Sequence, residues 1–233
     1  MQTPSVWASL AQTFSERKPG LALFYEDLTK RDFDGFEHWT QDFCRRVEEQ
    51  GAGEKSFLLG YSLGGRLALQ ASVERPDLWL GVVVVGADPG LNSEMNRKRQ
   101  LQRDRAWAER ARKEPLRKLM EEWDEQPVFV GIPNTAPRRI EELNSLKISR
   151  QFEVFSKGHQ RNLGPELAVA ENPSILFLSG EKDEKYSAIG KKLALSCKCV
   201  EFKLISEAGH RVPWENPDEF FLVVSTFMEA CLE

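Results

Sequence analysis

The sequence lacks the features that mark membrane proteins, secreted proteins and nucleic-acid binders. Its 233 residues contain no hydrophobic run long enough to span a bilayer, and the N-terminus has no basic-then-apolar signal pattern. The formal net charge is −4, so no strong positive field attracts nucleic acid or an anionic membrane surface. We therefore expect a cytoplasmic protein with neither kind of partner. The sequence does not decide between a monomer and a homo-oligomer.

Cysteine is also scarce. The four cysteines are Cys44, Cys197, Cys199 and Cys231. The pair Cys197-x-Cys199 has no second pair of ligands at metal spacing, and a chain of this length does not need disulfides to be stable. We expect four reduced thiols and no metal.

Short β-rich apolar runs alternate with segments of helical periodicity, which predicts an α/β fold with a mostly parallel sheet flanked by helices. The predicted strands are Leu21–Tyr25, Ser56–Tyr61, Leu80–Ala87, Ser174–Leu178 and Val200–Ile205. The predicted helices are Ser5–Phe14, Gly35–Glu49, Leu63–Val73, Lys185–Ser196 and Pro217–Cys231. Residues 92–170 hold several charged helical stretches separated by prolines and no convincing strand. They are predicted to form a helical cap inserted into a core made of residues 1–91 and 171–233.

One serine lies in a motif that carries chemistry. The segment Gly60-Tyr61-Ser62-Leu63-Gly64 matches G-x-S-x-G, the nucleophile elbow, and it falls between a predicted strand and a predicted helix. Such a turn exposes the Ser62 hydroxyl beside the positive end of the helix and directs the Leu63 backbone N–H toward an oxyanion. The alternative is a glycine-rich turn with an inert serine.

A serine hydroxyl needs an imidazole base to become reactive. Of the three histidines, His38 falls within a predicted helix and His159 within the cap. His210 directly follows the strand Val200–Ile205, so a parallel sheet would bring it to the same edge as Ser62. We predict that His210 is the base, against the alternative of a surface or capping histidine.

The imidazole in turn needs a carboxylate that orients it. Asp183 follows the strand Ser174–Leu178, and the chain order serine, aspartate, histidine is the one found with nucleophile elbows. Its neighbours Glu181 and Glu184 are alternatives for this role. An acid in such a loop also often acts only as a helix N-cap.

These motifs resemble those of α/β-hydrolase-fold proteins, and more narrowly those of the 2-succinyl-6-hydroxy-2,4-cyclohexadiene-1-carboxylate synthases of menaquinone biosynthesis. The similar segments are Gly60–Arg66, Asp88-Pro89-Gly90-Leu91, Trp123 with Gln126-Pro127-Val128-Phe129, Gly180–Asp183, and Ala208-Gly209-His210 with Glu215-Asn216-Pro217. The resemblance runs from about Ser5 to the C-terminus. It implies an α/β-hydrolase fold and a lyase that eliminates pyruvate from 2-succinyl-5-enolpyruvyl-6-hydroxy-3-cyclohexene-1-carboxylate. No metal or organic cofactor is implied.

The resemblance also implies residue roles. Ser62, activated by His210 and Asp183, would act as a base that removes a carbon-bound proton. The substrate is a small polycarboxylate, and guanidinium groups bind carboxylates through paired hydrogen bonds. Arg66, one turn past the serine, suits that task. The other expected substrate contacts are Tyr61 as a hydrogen-bond donor, Leu63, at least one of Arg97, Arg99 and Arg103, Trp123 over the ring, and Lys147 where the family carries an arginine. For the three cap arginines the alternative is a solvated helix face.

The N-terminal region departs from the family's pattern. Such folds place a strand ending in an H-G motif before the first helix, and that loop supplies a second oxyanion N–H. Here Ser5–Phe14 already corresponds to that helix, and no H-G dipeptide lies near the N-terminus. We therefore expect the N-terminal strand to be missing, either because the chain begins inside a longer protein or because a rearrangement or a partner covers the gap.

Two other functions remain open at this stage. One is a serine hydrolase that cleaves esters, thioesters or C–C bonds with the same three residues. The other is an inactive or truncated member of the fold that acts as a binding protein.

Overall fold

The structure is a computed structural model that describes residues 2–51, 53–129, 131–169 and 173–233. Its strands are β1 (Ser56–Tyr61), β2 (Trp79–Val85), β3 (Ser174–Gly180) and β4 (Val200–Ile205). Its helices are α1 (Ala8–Arg17), α2 (Phe36–Gln50), α3 (Leu63–Glu74), α4 (Glu94–Lys113), α5 (Leu116–Asp124), α6 (Ser145–Val154), α7 (Gly164–Val169), α8 (Glu184–Ser196), α9 (Val212–Glu215) and α10 (Pro217–Ala230). Among the described residues, no helix is both long and apolar enough to cross a membrane.

Within these ranges the strands form one parallel sheet in the order β1-β2-β3-β4. Tyr61 pairs with Val85, and Val85 pairs with Leu178, so the carboxyl ends of the first three strands lie close together. Loops that leave this edge carry the residues of the candidate site, as is usual for parallel α/β sheets.

The core lies on both faces of the sheet, and β2 shows how. Val82 and Val84 pack on one face against α2, α3 and α8, whereas Val83 and Val85 pack on the other face against α1, α9 and α10. Alternate residues of a strand point to opposite faces, so a strand covered on both sides is apolar throughout. The run of four valines in β2 is the result, and all four are at most 2 % exposed.

The predicted strand Leu21–Tyr25 is wrong. These residues are extended but belong to no strand, and Phe24 is 75 % exposed. A strand requires a hydrogen-bonded neighbour. In the described part of the chain β1 is an edge of the sheet, and residues 20–29 face it across a cavity instead of pairing with it. The other four strand predictions and the five helix predictions hold to within a few residues.

Residues 92–170 carry α4 to α7, and no strand occurs among those of them that the structure describes. Ala111, Leu119, Met120 and Ile148 form a small separate core there. However, the segment's C-terminal part, including Leu167 of α7, packs into the main core under the sheet. The division into a core and a cap over 92–170 therefore stays a prediction.

Candidate active site

The turn from β1 into α3 has the strained geometry expected of a nucleophile elbow. Ser62 lies between the two elements with φ 52° and ψ −108°, a region that L residues rarely adopt. A Cβ on Gly60 would lie 2.2 Å from the Gly64 carbonyl oxygen, and one on Gly65 would lie 2.7 Å from the Ala87 Cβ. Gly60 and Gly65 therefore allow the strand and helix to approach closely, whereas a Cβ on Gly64 would meet nothing within 4 Å.

Ser62, His210 and Asp183 form a continuous chain of hydrogen-bonding groups. The Asp183 Oδ2 is 2.7 Å from His210 Nδ1, and His210 Nε2 is 3.4 Å from Ser62 Oγ. With Nδ1–H donating to the carboxylate, Nε2 is free to accept the serine proton. The second contact is longer than a well-formed hydrogen bond, as is common in sites without substrate. His210 and Asp183 are 3 % and 6 % exposed.

Asp183 both caps helix α8 and binds the His210 imidazole. Its Oδ1 accepts the Tyr186 N–H at the start of α8 (3.2 Å), so the same carboxylate caps the helix and binds His210. Glu181 instead accepts the Glu207 N–H, and Glu184 is exposed. Of the three acids, only Asp183 reaches the imidazole.

The loop that carries His210 is fixed by a half-buried glutamate. Glu215 Oε2 accepts the Gly209 N–H at 2.6 Å, and burial raises the pKa of this carboxyl above its ordinary value. Next to the imidazole, Arg211 is 3 % exposed and donates to Asp124 of α5, which also binds Arg138. Helix α5 is thus tied directly to the histidine loop.

Aromatic rings enclose the imidazole. The Tyr186, Tyr61 and Phe129 rings have centroids 4.7, 5.4 and 5.4 Å from that of His210. Burial raises the pKa of both tyrosine hydroxyls well above their ordinary value, so both phenols are neutral donors at physiological pH. The Gly86 backbone also packs closely against the imidazole, since a Cβ on Gly86 would lie 2.8 Å from His210 Cε1.

Arg66 lines the same cavity, and Asp88 and Asp104 act on its charge only from a distance. Its Nη1 donates to Gln160 Oε1 at 3.2 Å, and its guanidinium carbon is 5.4 Å from the Phe36 ring centroid. Among the described residues it makes no ion pair. Burial lowers its pKa, but an arginine stays protonated. Gln160 is fully buried and is itself held by its Nε2, which donates to the Asp88 carbonyl at 2.9 Å.

The cavity has a volume of about 1370 Å³ and brings together most of the predicted substrate contacts. Tyr61, Leu63, Arg66, Arg103 and Trp123 line it together with the three hydrogen-bonded residues. On α4 the lining residues are Gln100, Arg103, Asp104 and Trp107, a single stripe at helical spacing.

Three predicted contacts lie elsewhere. Arg97 donates to the Leu91 carbonyl, and Arg99 is exposed and does not line the cavity. Lys147 pairs with Asp32 at 2.8 Å on the surface. The structure brings none of these three to the cavity.

Several cavity residues were missed by sequence reasoning. Lys157, Lys185 and Arg211 line the cavity, and Gln160 supports it from behind. Lys185 lies two residues after Asp183 and Arg211 directly follows His210, so the motif neighbours were a usable signal. Lys157 and Gln160 belong to a cap loop without a motif, and only the folded chain reveals them. Among the described residues, no group of three or more histidine, cysteine or acidic side chains could hold a metal ion.

The fold and the site together define a class of protein. An elbow serine, a histidine and an aspartate at the carboxyl edge of a parallel sheet are the arrangement of the α/β hydrolases. Residues 6–221 match the model of the alpha/beta hydrolase family. The chain belongs to this family.

More specific relatives are known. The chain is 34 % identical over 221 residues to 2-succinyl-6-hydroxy-2,4-cyclohexadiene-1-carboxylate synthase of Escherichia coli, covering 91 % of this chain and 83 % of the relative. The structure of MenH from S. aureus superposes with a TM-score of 0.85 at 22 % identity, covering all of this chain and 91 % of the other. A thermophilic esterase from Thermogutta terrifontis superposes with a TM-score of 0.77 at 18 % identity, over 99 % and 86 % of the two chains. At 22 % and 18 % identity, the similarities to MenH from S. aureus and to the Thermogutta terrifontis esterase show a shared fold.

Proposed function

We propose that this protein is a 2-succinyl-6-hydroxy-2,4-cyclohexadiene-1-carboxylate synthase, a lyase of menaquinone biosynthesis. The observation that supports this most is Arg66, a guanidinium in the cavity of Ser62 and His210 that is held by a neutral amide. An enzyme for neutral esters has no use for an uncompensated charge there, because burying an unpaired ion is costly. A substrate with carboxylates compensates that charge on binding. The 34 % identity to the Escherichia coli synthase supports the same assignment.

The proposed reaction begins with a proton transfer. His210 takes the Ser62 proton, and Ser62 Oγ removes the proton from the ring carbon that bears the succinyl group. The two electrons of that C–H bond become a double bond to the next ring carbon. The existing ring double bond shifts by one position, and the C–O bond to the enolpyruvyl group breaks. The leaving enolate takes up a proton and becomes pyruvate.

Negative charge develops on the succinyl ketone oxygen during this transfer. The Leu63 N–H at the start of α3 has no acceptor among the described residues, and it lies at the positive end of the helix. We assign it the stabilisation of that oxygen. Tyr61, a neutral phenol that lines the cavity beside His210, is a second donor of suitable chemistry.

The substrate carries three carboxylates, which Arg66 and Arg103 are proposed to bind. Arg103 of α4 lines the cavity and donates to the neutral Gln126. Trp123 contacts Trp107 and Phe152 and provides an apolar wall for the ring. We propose a helical cap over residues 92–170 that carries these contacts. We also propose a cytoplasmic location, which the low cysteine content, four in 233 residues, supports because disulfide-rich chains are rare in that compartment.

The test measures pyruvate release from the enolpyruvyl substrate, coupled to NADH oxidation by lactate dehydrogenase. The wild type should release pyruvate, Ser62→Ala should lose at least about a thousandfold in kcat, and Arg66→Ala should raise KM sharply. Hydrolysis of a simple aryl ester is measured in parallel. Ester turnover without pyruvate release would replace this proposal with the serine hydrolase. Neither activity in a folded protein would favour a binding role.

A further inference from the structure

Two lysines from distant parts of the sequence lie near each other in the cavity that contains the imidazole. Lys157 follows α6 in the cap segment, and Lys185 lies in the first turn of α8, two residues after Asp183. Both side chains line the cavity that contains Ser62. Neither belongs to the sequence motifs or to the proton-transfer chain described above.

Their charges are only half compensated. Lys157 Nζ is 3.2 Å from Asp88 Oδ2, and the other oxygen of Asp88 accepts the Gly90 N–H. Lys185 makes no ion pair among the described residues, and its Nζ lies 4.7 Å from the Tyr186 ring centroid. Two ammonium groups therefore share one carboxylate, and one positive charge remains.

The position of this charge is defined by the Tyr186 ring. That ring contacts both the Lys185 ammonium and the His210 imidazole. An anion bound at Lys185 would therefore lie close to the ring that packs against the imidazole, in the cavity that also contains Ser62.

The surroundings of Lys185 favour an incoming anion. Its side chain is accessible from the cavity, but the surrounding protein replaces much of its hydration. This desolvation, together with the nearby Lys157 charge, lowers the pKa of Lys185 to about 8, although Asp88 and Asp183 act in the opposite direction. A carboxylate bound between the lysines would relieve their repulsion and restore the charge.

We infer that Lys185 and Lys157 form a second anion subsite that binds one carboxylate of the substrate, separate from the site at Arg66. This inference rests on the proposed function for the identity of the substrate. The subsite makes the enzyme specific for ligands with at least two carboxylates. The alternative is a purely structural cluster in which Asp88 satisfies both lysines.

The test compares Lys185→Met with Lys192→Met, a matched control on the exposed side of the same helix. In pyruvate release, K185M should raise KM by about tenfold or more with kcat changed by less than about threefold, because uniform binding is lost. K192M should match the wild type. The charge-preserving K185R should keep most of the affinity, and K157M should raise KM as well. An unchanged KM in a folded K185M would overturn the subsite.

A binding experiment separates this inference from the proposed function. If the wild type releases no pyruvate, the proposed function fails, and calorimetric titration with phthalate and with benzoate still tests the subsite. The wild type should bind the dicarboxylate more tightly, and K185M should lose that preference while K192M keeps it. Equal affinity of the wild type for both probes, or a preference retained in K185M, would contradict the inference.

Discussion

Gly86 offers a test of how closely the imidazole must be placed. It follows β2 with φ +55°, and a Cβ there would lie 2.8 Å from His210 Cε1 and 3.0 Å from Nδ1. Ordinary contacts begin at 3.4 Å, so Gly86→Ala forces the ring or the loop to shift by 0.6 Å. The imidazole has little room, because Tyr61, Phe129 and Tyr186 pack around it.

The substitution has two effects of different size. An alanine at this backbone conformation destabilises the fold by about 1–2 kcal/mol. A catalytic group displaced by a large fraction of an ångström loses about 10- to 100-fold in rate. Gly86→Ala should therefore lower kcat for pyruvate release by that factor, with a fall in Tm of only about 2–8 °C.

Gly131→Ala is the matched control. Gly131 also has a left-handed φ of +85°, but a Cβ there would meet nothing within 4 Å. Its variant should show a comparable fall in Tm with an unchanged kcat. If Gly86→Ala kept a kcat within about twofold of this control, the close placement of His210 would not matter for turnover.

Three further predictions concern charge. Gln160→Glu places a carboxylate beside Arg66, which should neutralise the guanidinium and raise KM by about tenfold or more. Gln160→Met should raise KM less. Equal KM values for the two variants would refute the charge argument. Asp124→Asn removes the carboxylate that pairs with Arg211, so it should lower the free energy of unfolding in urea by about 2 kcal/mol. The loss is smaller than for a fully buried pair because Asp124 is 24 % exposed. Because the pKa of Lys185 is near 8, its side chain is charged below that pH and neutral above it. The KM of the wild type should therefore rise between pH 7 and pH 9, whereas the KM of Lys185→Arg should change less. Parallel pH profiles of KM in the two proteins would argue against a role for this ammonium.

Residues in motifs at strand ends could be placed from the sequence. Ser62, Asp183 and His210 each follow a strand, and parallel strands bring their carboxyl ends to one edge. The chain order serine, aspartate, histidine is the one found with nucleophile elbows, so it assigns the carboxylate to Asp183 and the base to His210. Their proximity thus follows from local pattern and sheet direction, and the measured contacts agree with it.

The substrate contacts contributed by residues 92–170 could be predicted from the sequence only in part. Arg99 and Arg103 lie one turn apart on α4, yet the cavity stripe contains Arg103 and excludes Arg99. Which turn of a helix reaches a cavity depends on how that helix packs on others, and the charged surface of α4 holds no such signal. Lys147 illustrates the same problem, because its helix turns it toward Asp32 at the surface.

The strand error has a different physical origin. Leu21–Tyr25 has the composition of a strand, but composition does not provide a hydrogen-bonding neighbour. Strand β1 is an edge of the sheet in the described part of the chain, and all of its residues line the cavity together with residues 20–29. Pairing is a property of two segments, so a prediction made from one segment cannot settle it.

This open edge bears on how a substrate is recognised. At about 1370 Å³ the cavity exceeds the roughly 300–1,000 Å³ of usual ligand sites, because it extends along all of β1. A cavity of this volume is larger than a small ring fills, so shape alone does not orient the ring. Orientation must then come from fixed charges, and Arg66 is suited to this because Gln160 holds it without neutralising it. The same logic requires a second fixed charge to prevent rotation about the first. Lys185, which makes no ion pair in the described part of the chain, contacts the Tyr186 ring that packs against the imidazole.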